Sequence, residues 1–345
     1  MDKINIYDLS LLDLENIFRS WDEPPYRARQ VLGWIFKKNV FDFAQMSDLS
    51  AALRKKMQDR FVISGLKIVR TLSSADGTEK FLLSLDDGNF IEAVNIPTER
   101  RLTGCVSSQV GCKYACKFCA SGLSGFKRNL SCGEIIREVE YLRSNSGGKD
   151  LTHIVFMGTG EPMDNYDNVL KAIRIINADY GINIGARRIT ISTSGIIPGI
   201  KRLAEENIQV ELSVSLHAAD DKTRSLLMPV NKVYPLVKLI GACKDYIIKT
   251  NRQVTFEYCL IQGLNSGLHD ANNLSKIMKT LGLAKVNLIP ANPVKECGIL
   301  PPGRKDITVF KEALVSGGVE VTLRKPRGQD IDAACGQLRL GYERE

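Results

Sequence analysis

Apolar residues recur at helical spacing from the first residues onward: Leu11, Leu12, Leu14, Ile17 and Phe18 form one stripe. Pro24 and Pro25 interrupt it. A second stripe, Val31, Leu32, Trp34, Ile35 and Phe36, predicts a helix over about 26–38. Leu49, Leu53, Met57 and Phe61 predict a third, behind the cap residues Ser47-Asp48-Leu49-Ser50. Residues 1–70 therefore read as a small helical domain. Over 61–97 the texture becomes strand-like, in Phe61-Val62-Ile63, Leu66-Lys67-Ile68-Val69, Lys80-Phe81-Leu82-Leu83-Ser84-Leu85 and Phe90-Ile91-Glu92-Ala93-Val94. Asp76-Gly77 and Asp86-Asp87-Gly88 are turn signals, so 71–100 reads as a small antiparallel extension.

From 101 to 345 strands and helices alternate. Strands are expected over 103–108, 153–157, 188–192, 209–216, 254–261 and 286–289, with helices over 132–142, 166–176, 198–205, 236–249 and 274–281. Strand, crossover helix, strand implies a parallel sheet with right-handed connections. The pattern leaves open an extended sheet or a curved partial barrel. In either, active sites gather at the carboxyl ends of the strands.

The chain has 345 residues, enough for a large domain and a small one, and its 44% hydrophobic and 25% charged residues are ordinary for a globular protein. No apolar run reaches the ~18–20 residues that span a bilayer. Met1-Asp2-Lys3-Ile4-Asn5 lacks the basic and apolar stretches of a signal peptide, so a cytoplasmic, membrane-free protein is expected. A net charge of +8 favours a polyanionic partner. The front domain's Arg27, Arg29, Lys37, Lys38, Arg54, Lys55 and Lys56 are candidates to grip a nucleic-acid backbone, or form a solvated helix face.

Nine cysteines in such a chain argue for metal or catalytic use over a disulfide scaffold. The run Gly111-Cys112-Lys113-Tyr114-Ala115-Cys116-Lys117-Phe118-Cys119 has the spacing C-x3-C-x2-C. Three thiolates on one loop can hold three irons of a [4Fe–4S] cube and leave the fourth open to a small molecule. A zinc site wants a fourth ligand, and His153, His217 and His269 are each isolated in sequence. The spacing, with an aromatic residue before the last cysteine, resembles the radical S-adenosylmethionine superfamily. That resemblance implies a partial (β/α)6 barrel, a cluster on Cys112, Cys116 and Cys119, and S-adenosylmethionine chelated to the open iron. There, cleavage of the sulfonium supplies a 5′-deoxyadenosyl radical.

The expected strand ends carry polar residues: Gly158-Thr159-Gly160-Glu161-Pro162, Ser192 and Ser194, Ser215-Leu216-His217, and Asn292. Glycines there let backbone approach a ligand. Glu161 is an anion suited to an ammonium, as in the superfamily's Gly-Glu-Pro motif. Near the C-terminus, Arg324-Lys325-Pro326-Arg327-Gly328 suits a phosphate, and Ala333-Ala334-Cys335-Gly336 presents an open thiol.

Taken together, Thr103-Gly104-Cys105, the cluster run, Gly-Glu-Pro, Ser-Leu-His and Asp330-Ile331-Asp332-Ala333-Ala334-Cys335-Gly336-Gln337-Leu338 resemble the dual-specificity RNA adenine-C2 methyltransferases over essentially the whole chain. The resemblance implies two substrates, 23S ribosomal RNA and transfer RNA, and two S-adenosylmethionine per turnover. It implies that Cys335 is S-methylated, that the thiomethylene radical adds to adenine C2, and that Cys105 resolves the adduct as a transient disulfide with Cys335. Glu92 takes the role of proton acceptor. Gly160, Glu161, Ser192, Ser215, Leu216, His217 and Asn292 match cofactor-binding positions. A reducing donor such as a flavodoxin and a monomeric state are also expected. Thr159 and Ala291 depart from the family's pattern, where a methionine and an aromatic are frequent. Cys132, Cys243, Cys259 and Cys297 match no motif and read as packing. The rival readings are the sister adenine-C8 methyltransferases and a radical enzyme with another substrate.

Overall fold

A computed structural model describes residues 3–123, 125–292 and 298–338. Cys297, read above as packing, lies outside them. The front domain opens with a short strand, β1 (Ile4–Asn5), followed by α1 (Leu11–Ser20), α2 (Tyr26–Phe36), α3 (Ala51–Arg60) and β2 (Phe61–Val62). Ser10 starts α1 with a capping box shared with Asp13, and Ser50 caps α3 by accepting from the Leu53 N–H. The strand-like Phe61-Val62 does not join the extension. It pairs in parallel with Ile4–Asn5 and closes the front domain on itself.

The extension is β3 (Lys67–Ser73), β4 (Glu79–Ser84) and β5 (Phe90–Pro97). It runs without a break into β6 (Leu102–Cys105), because β5 and β6 pair antiparallel with Val94 opposite Cys105. A small hairpin, β7 (Gln109–Gly111) with β8 (Phe126–Asn129), stands off the sheet. Then α4 (Cys132–Ser144), β9 (Leu151–Phe156), α5 (Tyr166–Asn177), β10 (Ile189–Thr193), α6 (Ile197–Leu203), β11 (Glu211–Ser215), α7 (Asp221–Leu227), α8 (Leu236–Thr250), β12 (Val254–Leu260), α9 (Leu268–Lys279), β13 (Ala284–Pro290), α10 (Arg304–Ser316) and β14 (Glu320–Leu323) complete the alternation.

The main sheet has ten strands in the order β14-β13-β12-β11-β10-β9-β6-β5-β4-β3. From β6 to β14 every neighbour is parallel. The six expected strands are β6 and β9 to β13; β14 is a seventh, on the edge. The edges β3 and β14 do not pair with each other, so the barrel is partial and not closed. Chain beyond β14 folds back to the extension. Asp330 accepts from the Ser74 hydroxyl at 2.6 Å, Asp76 accepts from Gly328 N–H at 3.0 Å, and Lys80 Nζ donates to the Asp332 carbonyl at 3.1 Å.

One continuous apolar core runs from the front helices through the sheet and its outer helices. The front domain is fixed to α4 by polar contacts: Tyr7 hydroxyl to Glu140 at 2.6 Å and Gly133 N–H to Asp8 at 2.6 Å. Among the described residues no helix is long and apolar enough to cross a membrane.

Candidate active site

The cluster run is the loop of the β7–β8 hairpin, at the carboxyl end of the first parallel strand. Gly111 enters it at φ +75°, and a side chain there would run into the Gly125 carbonyl, which accepts from Cys112 N–H at 2.9 Å. Ala115 takes a left-handed φ of +47°, and Cys119 N–H donates to the Cys116 carbonyl at 3.0 Å. The chain thereby coils tightly enough for Cys112, Cys116 and Cys119 to line one cavity. Burial pushes all three thiols up, Cys112 to about 12, and each is raised further by another thiol: Cys112 and Cys116 by Cys119, Cys119 by Cys335. Thiolates held there need positive charge beside them, which a cubane's irons supply. Among the described residues no three ligating side chains converge on a single ion.

Gly158, Gly160, Glu161, Ser192, Ser194, Ser215, His217 and Asn292 line the same cavity. Glu161 is buried, and burial raises its pKa. Its two oxygens accept from Met163 N–H at 3.0 Å and Ser194 N–H at 2.7 Å. The glycines have a structural reason beyond ligand approach: a Cβ on Gly158 would sit 2.7 Å from the Val106 carbonyl, and one on Gly160 2.6 Å from the Gln109 side chain. His217 stands at φ +56° with its ring edge-on to Phe118, centroids 4.5 Å apart. Its Nδ1 accepts from Cys259 N–H at 2.8 Å, so the proton of the neutral ring sits on Nε2. Burial, helped by Arg224, lowers its pKa to about 3. Leu216 is buried and offers backbone only: its N–H donates to Glu257 and its carbonyl accepts from Arg224.

Arg224 was not legible as a site residue. It is fully buried on α7, donating to the carbonyls of Leu216 (3.2 Å), Ser194 (2.7 Å) and Ser215 (3.1 Å) and to Asn231 (2.8 Å). One guanidinium therefore ties together the ends of β10 and β11. Glu257 was also missed. It is buried on β12, accepts from Asn287 at 2.8 Å, and has a pKa raised by burial against the pull of Arg324.

Cys335 also lines this cavity. Its loop lies on the cluster loop: Ala120 N–H donates to the Gly336 carbonyl at 2.7 Å, and a side chain on Gly336 would meet the Phe118 carbonyl at 2.8 Å. Ala333 and Ala334 are buried, Ala333 packing with Val94, Cys105 and Leu338, while Cys335 itself is only half-buried. Cys105 is a buried free thiol, raised by burial first and by neighbouring Cys335 second. A second, larger space of about 570 Å3 fills the concave face of the sheet. It shares Met157, Glu257, Ile289, Asn292, Arg324 and Cys335 with the cluster cavity.

Glu92 lies outside both spaces. Its carboxylate pairs with Lys80 at 3.1 Å, and Lys80 also holds the Asp332 carbonyl just before Cys335. Arg324, Lys325 and Arg327 of the basic run all line the larger space, and two of them also interact within the chain. Arg324 is raised by Cys335 first and then Glu257, while Arg327 turns to Asp76 at 3.9 Å. Several front-domain cations are likewise engaged within the chain: Arg27 with Gln30, Arg29 with Asp179, Arg54 with the Ala44 carbonyl and Lys56 with the Trp21 carbonyl. Cys132 and Cys243 are buried packing residues, and Cys259 both packs and lines the cavity.

Residues 106–269 match the radical SAM superfamily, and residues 4–63 match the ribosomal RNA large subunit methyltransferase N-terminal domain. A protein of Clostridium perfringens named "Probable dual-specificity RNA methyltransferase RlmN" is 45% identical over 98% of this chain and 97% of its own. One of the same name from Dictyoglomus turgidum is 46% identical, over 98% and 97%. The chain belongs to the RlmN family of radical SAM methyltransferases. A crystal structure of a radical SAM methyltransferase from Sphaerobacter thermophilus superposes with a TM-score of 0.92 at 43% identity, covering 97% of this chain and 99% of that one. RlmN-family membership carries a [4Fe–4S] cluster and S-adenosylmethionine, and the thiols and polar strand ends described above fit both.

Proposed function

We propose that this enzyme methylates C2 of one adenine in 23S ribosomal RNA and one in transfer RNA through a methyl group carried on Cys335. The observation that supports this most is that Cys335 lines both the cofactor cavity and the larger space beside it, with Cys105 adjacent. A thiol so placed can take a group from a cofactor on one side and pass it to a base on the other. The base would reach it unpaired or flipped.

When bound, the cluster and two S-adenosylmethionine per turnover supply a methyl group and a radical that takes hydrogen from carbon. Cys112, Cys116 and Cys119 hold the cluster. Glu161, with Gly160, Ser192, Ser215, Leu216, His217 and Asn292, would hold the cofactor, its buried carboxylate suited to the ammonium. Cys335 carries the methyl as a thioether and bonds through that carbon to C2, which is electrophilic and unsuited to a polar methyl donor. The adduct would then shed one electron, which the bound cluster can take back, and the C2 proton, for which Glu92 is the acceptor once the Cys335 loop that separates it and Lys80 from both spaces moves aside. Cys105 then attacks the Cys335 sulfur, freeing the methylated RNA and leaving a disulfide.

The reading extends to the whole chain: a helical RNA-binding domain over 1–70, a linking extension over 71–100 and a catalytic core over 101–345, acting as a cytoplasmic monomer. The test is anaerobic reconstitution with iron and sulfide, then reaction with defined 23S and transfer RNA fragments. 2-Methyladenosine in both, with labelled methyl also on Cys335, is the expected result. 8-Methyladenosine as sole product, or full turnover by Cys335→Ala, would overturn it.

A further inference from the structure

We propose that the outer face of the segment from Leu226 to Val237 docks an acidic one-electron carrier protein that recharges the cluster. This rests on the cluster reading above. The segment covers the end of α7, the 3-10 turn Pro229–Lys232 and the start of α8. Its inner face is Met228, which lines the cavity with Cys112 and Cys116. The neighbouring Leu227 carbonyl accepts at 2.9 Å from the N–H of Lys117, the residue directly after Cys116. The outer face leaves Leu226, Val233 and Val237 bare, at 44%, 67% and 81% exposure. So one short stretch of chain separates the cluster ligands from an apolar patch in solvent.

Lysines predominate in and beside this segment, four against the two aspartates Asp220 and Asp221. Lys117, Lys222, Lys232 and Lys238 are exposed. The acidic residues of the same stretch spend their carboxylates on the chain itself. Asp220 caps α7 by accepting from Thr223 N–H at 2.8 Å, and Asp221 accepts from Asn231 and from Leu236 N–H, each at 2.8 Å. An aliphatic centre within a lysine rim has the composition of a small, transient interface. The rim would steer an acidic partner to it.

The chemistry also favours this place. The carrier loses one electron and the cluster gains one; no bond or proton changes hands. Electron transfer slows steeply with distance, so a carrier gains by docking beside the cluster loop, whose exposed Lys117 is hydrogen-bonded to this segment. RNA is the less suited occupant. Leu226, Val233 and Val237 offer no flat ring for a base to stack on.

The test uses reconstituted holoenzyme, with reduced flavodoxin as the probe carrier and dithionite as a small reductant. Bleaching of the cluster is followed by stopped flow. Lys232→Glu with Lys238→Glu, and separately Val237→Asp, should slow reduction by flavodoxin about tenfold or more. The charge variants should also flatten its salt dependence. Reduction by dithionite and affinity for RNA should not change. All three positions are exposed, so folding is not at stake. Unaltered reduction by flavodoxin overturns the proposal. So does weakened RNA binding with an unaltered flavodoxin rate, which assigns the patch to RNA. A parent holoenzyme that dithionite cannot bleach overturns the cluster reading and the docking site with it.

Discussion

Asn292 donates a side-chain N–H to the backbone carbonyl of Cys335 at 3.0 Å, and its amide oxygen accepts from Gln329 at 2.8 Å. A single amide just past β13 thus fixes two points of the loop that carries the thiol. On the other side, Ala120 N–H holds the Gly336 carbonyl at 2.7 Å and the Ser121 hydroxyl holds the Leu338 carbonyl at 2.9 Å. None of these bonds uses the sulfur of Cys335.

Asn292→Ala is therefore expected to loosen the thiol without disturbing the cluster loop. Two hydrogen bonds are lost, each worth about 1 kcal/mol, together about a thirtyfold change in the population of the aligned loop. Labelling of Cys335 from methyl-labelled S-adenosylmethionine should slow by about that factor, while iron content and visible absorbance stay at parental levels. Asn292→Asp keeps the acceptor for Gln329 and loses the donor to Cys335, and should fall between the two.

Arg224 makes a stronger demand. Removing its guanidinium leaves the buried carbonyl of Leu216 and the part-buried ones of Ser194 and Ser215 without this donor. Arg224→Ala should cost about 3 kcal/mol or more in stability, since each unsatisfied buried group costs about 1–3 kcal/mol. Arg224→Lys should recover little, because a point-like ammonium cannot span three carbonyls and Asn231. A urea midpoint near the parent's for Arg224→Ala would count against this role.

The contrast between Arg224 and the cysteine run shows what a sequence can carry. Cys112, Cys116 and Cys119 sit on one loop, so their spacing is their geometry. Strand–helix alternation is legible for the same reason, as each element's burial pattern is local: β12 is buried at every position. The edge strand β14 is exposed or half-exposed throughout, leaving no hydrophobic pattern to read. Arg224 sits in Asp221-Lys222-Thr223-Arg224-Ser225, which reads as a solvated helix; only the fold brings the ends of β10 and β11 to it. The link from Asn292 to Cys335 spans 43 residues, and nothing local announces it.

His217 ties pH to stability. Its folded pKa of about 3 lies below the usual 6.5, because burial disfavours the cation and Arg224 repels it. Between those values the unfolded chain binds the extra proton and the folded one does not. Stability is therefore full above about 6.5 and is lost as pH falls toward 3, at up to about 1.4 kcal/mol per pH unit. His217→Asn suits the left-handed backbone at φ +56° and cannot titrate. Its urea midpoint should change less than the parent's between pH 6.5 and 4; parallel curves would count against the assignment.

Glu138 on α4 should act with the opposite sign. It is fully buried, one oxygen accepts from Ser107 N–H at 2.9 Å, and burial raises its pKa well above the usual 4.5. The folded protein keeps this proton where the unfolded chain has released it, so the residue's contribution to stability declines as pH rises above about 4.5. Glu138→Gln preserves the shape and the acceptor for Ser107 but has no proton to lose. The variant should match the parent near pH 4.5 and exceed it increasingly toward pH 8, with the gap in denaturation midpoint widening along the way. A gap that stays constant with pH would mean that the carboxyl is ionised in the fold and that an unseen cation holds it so.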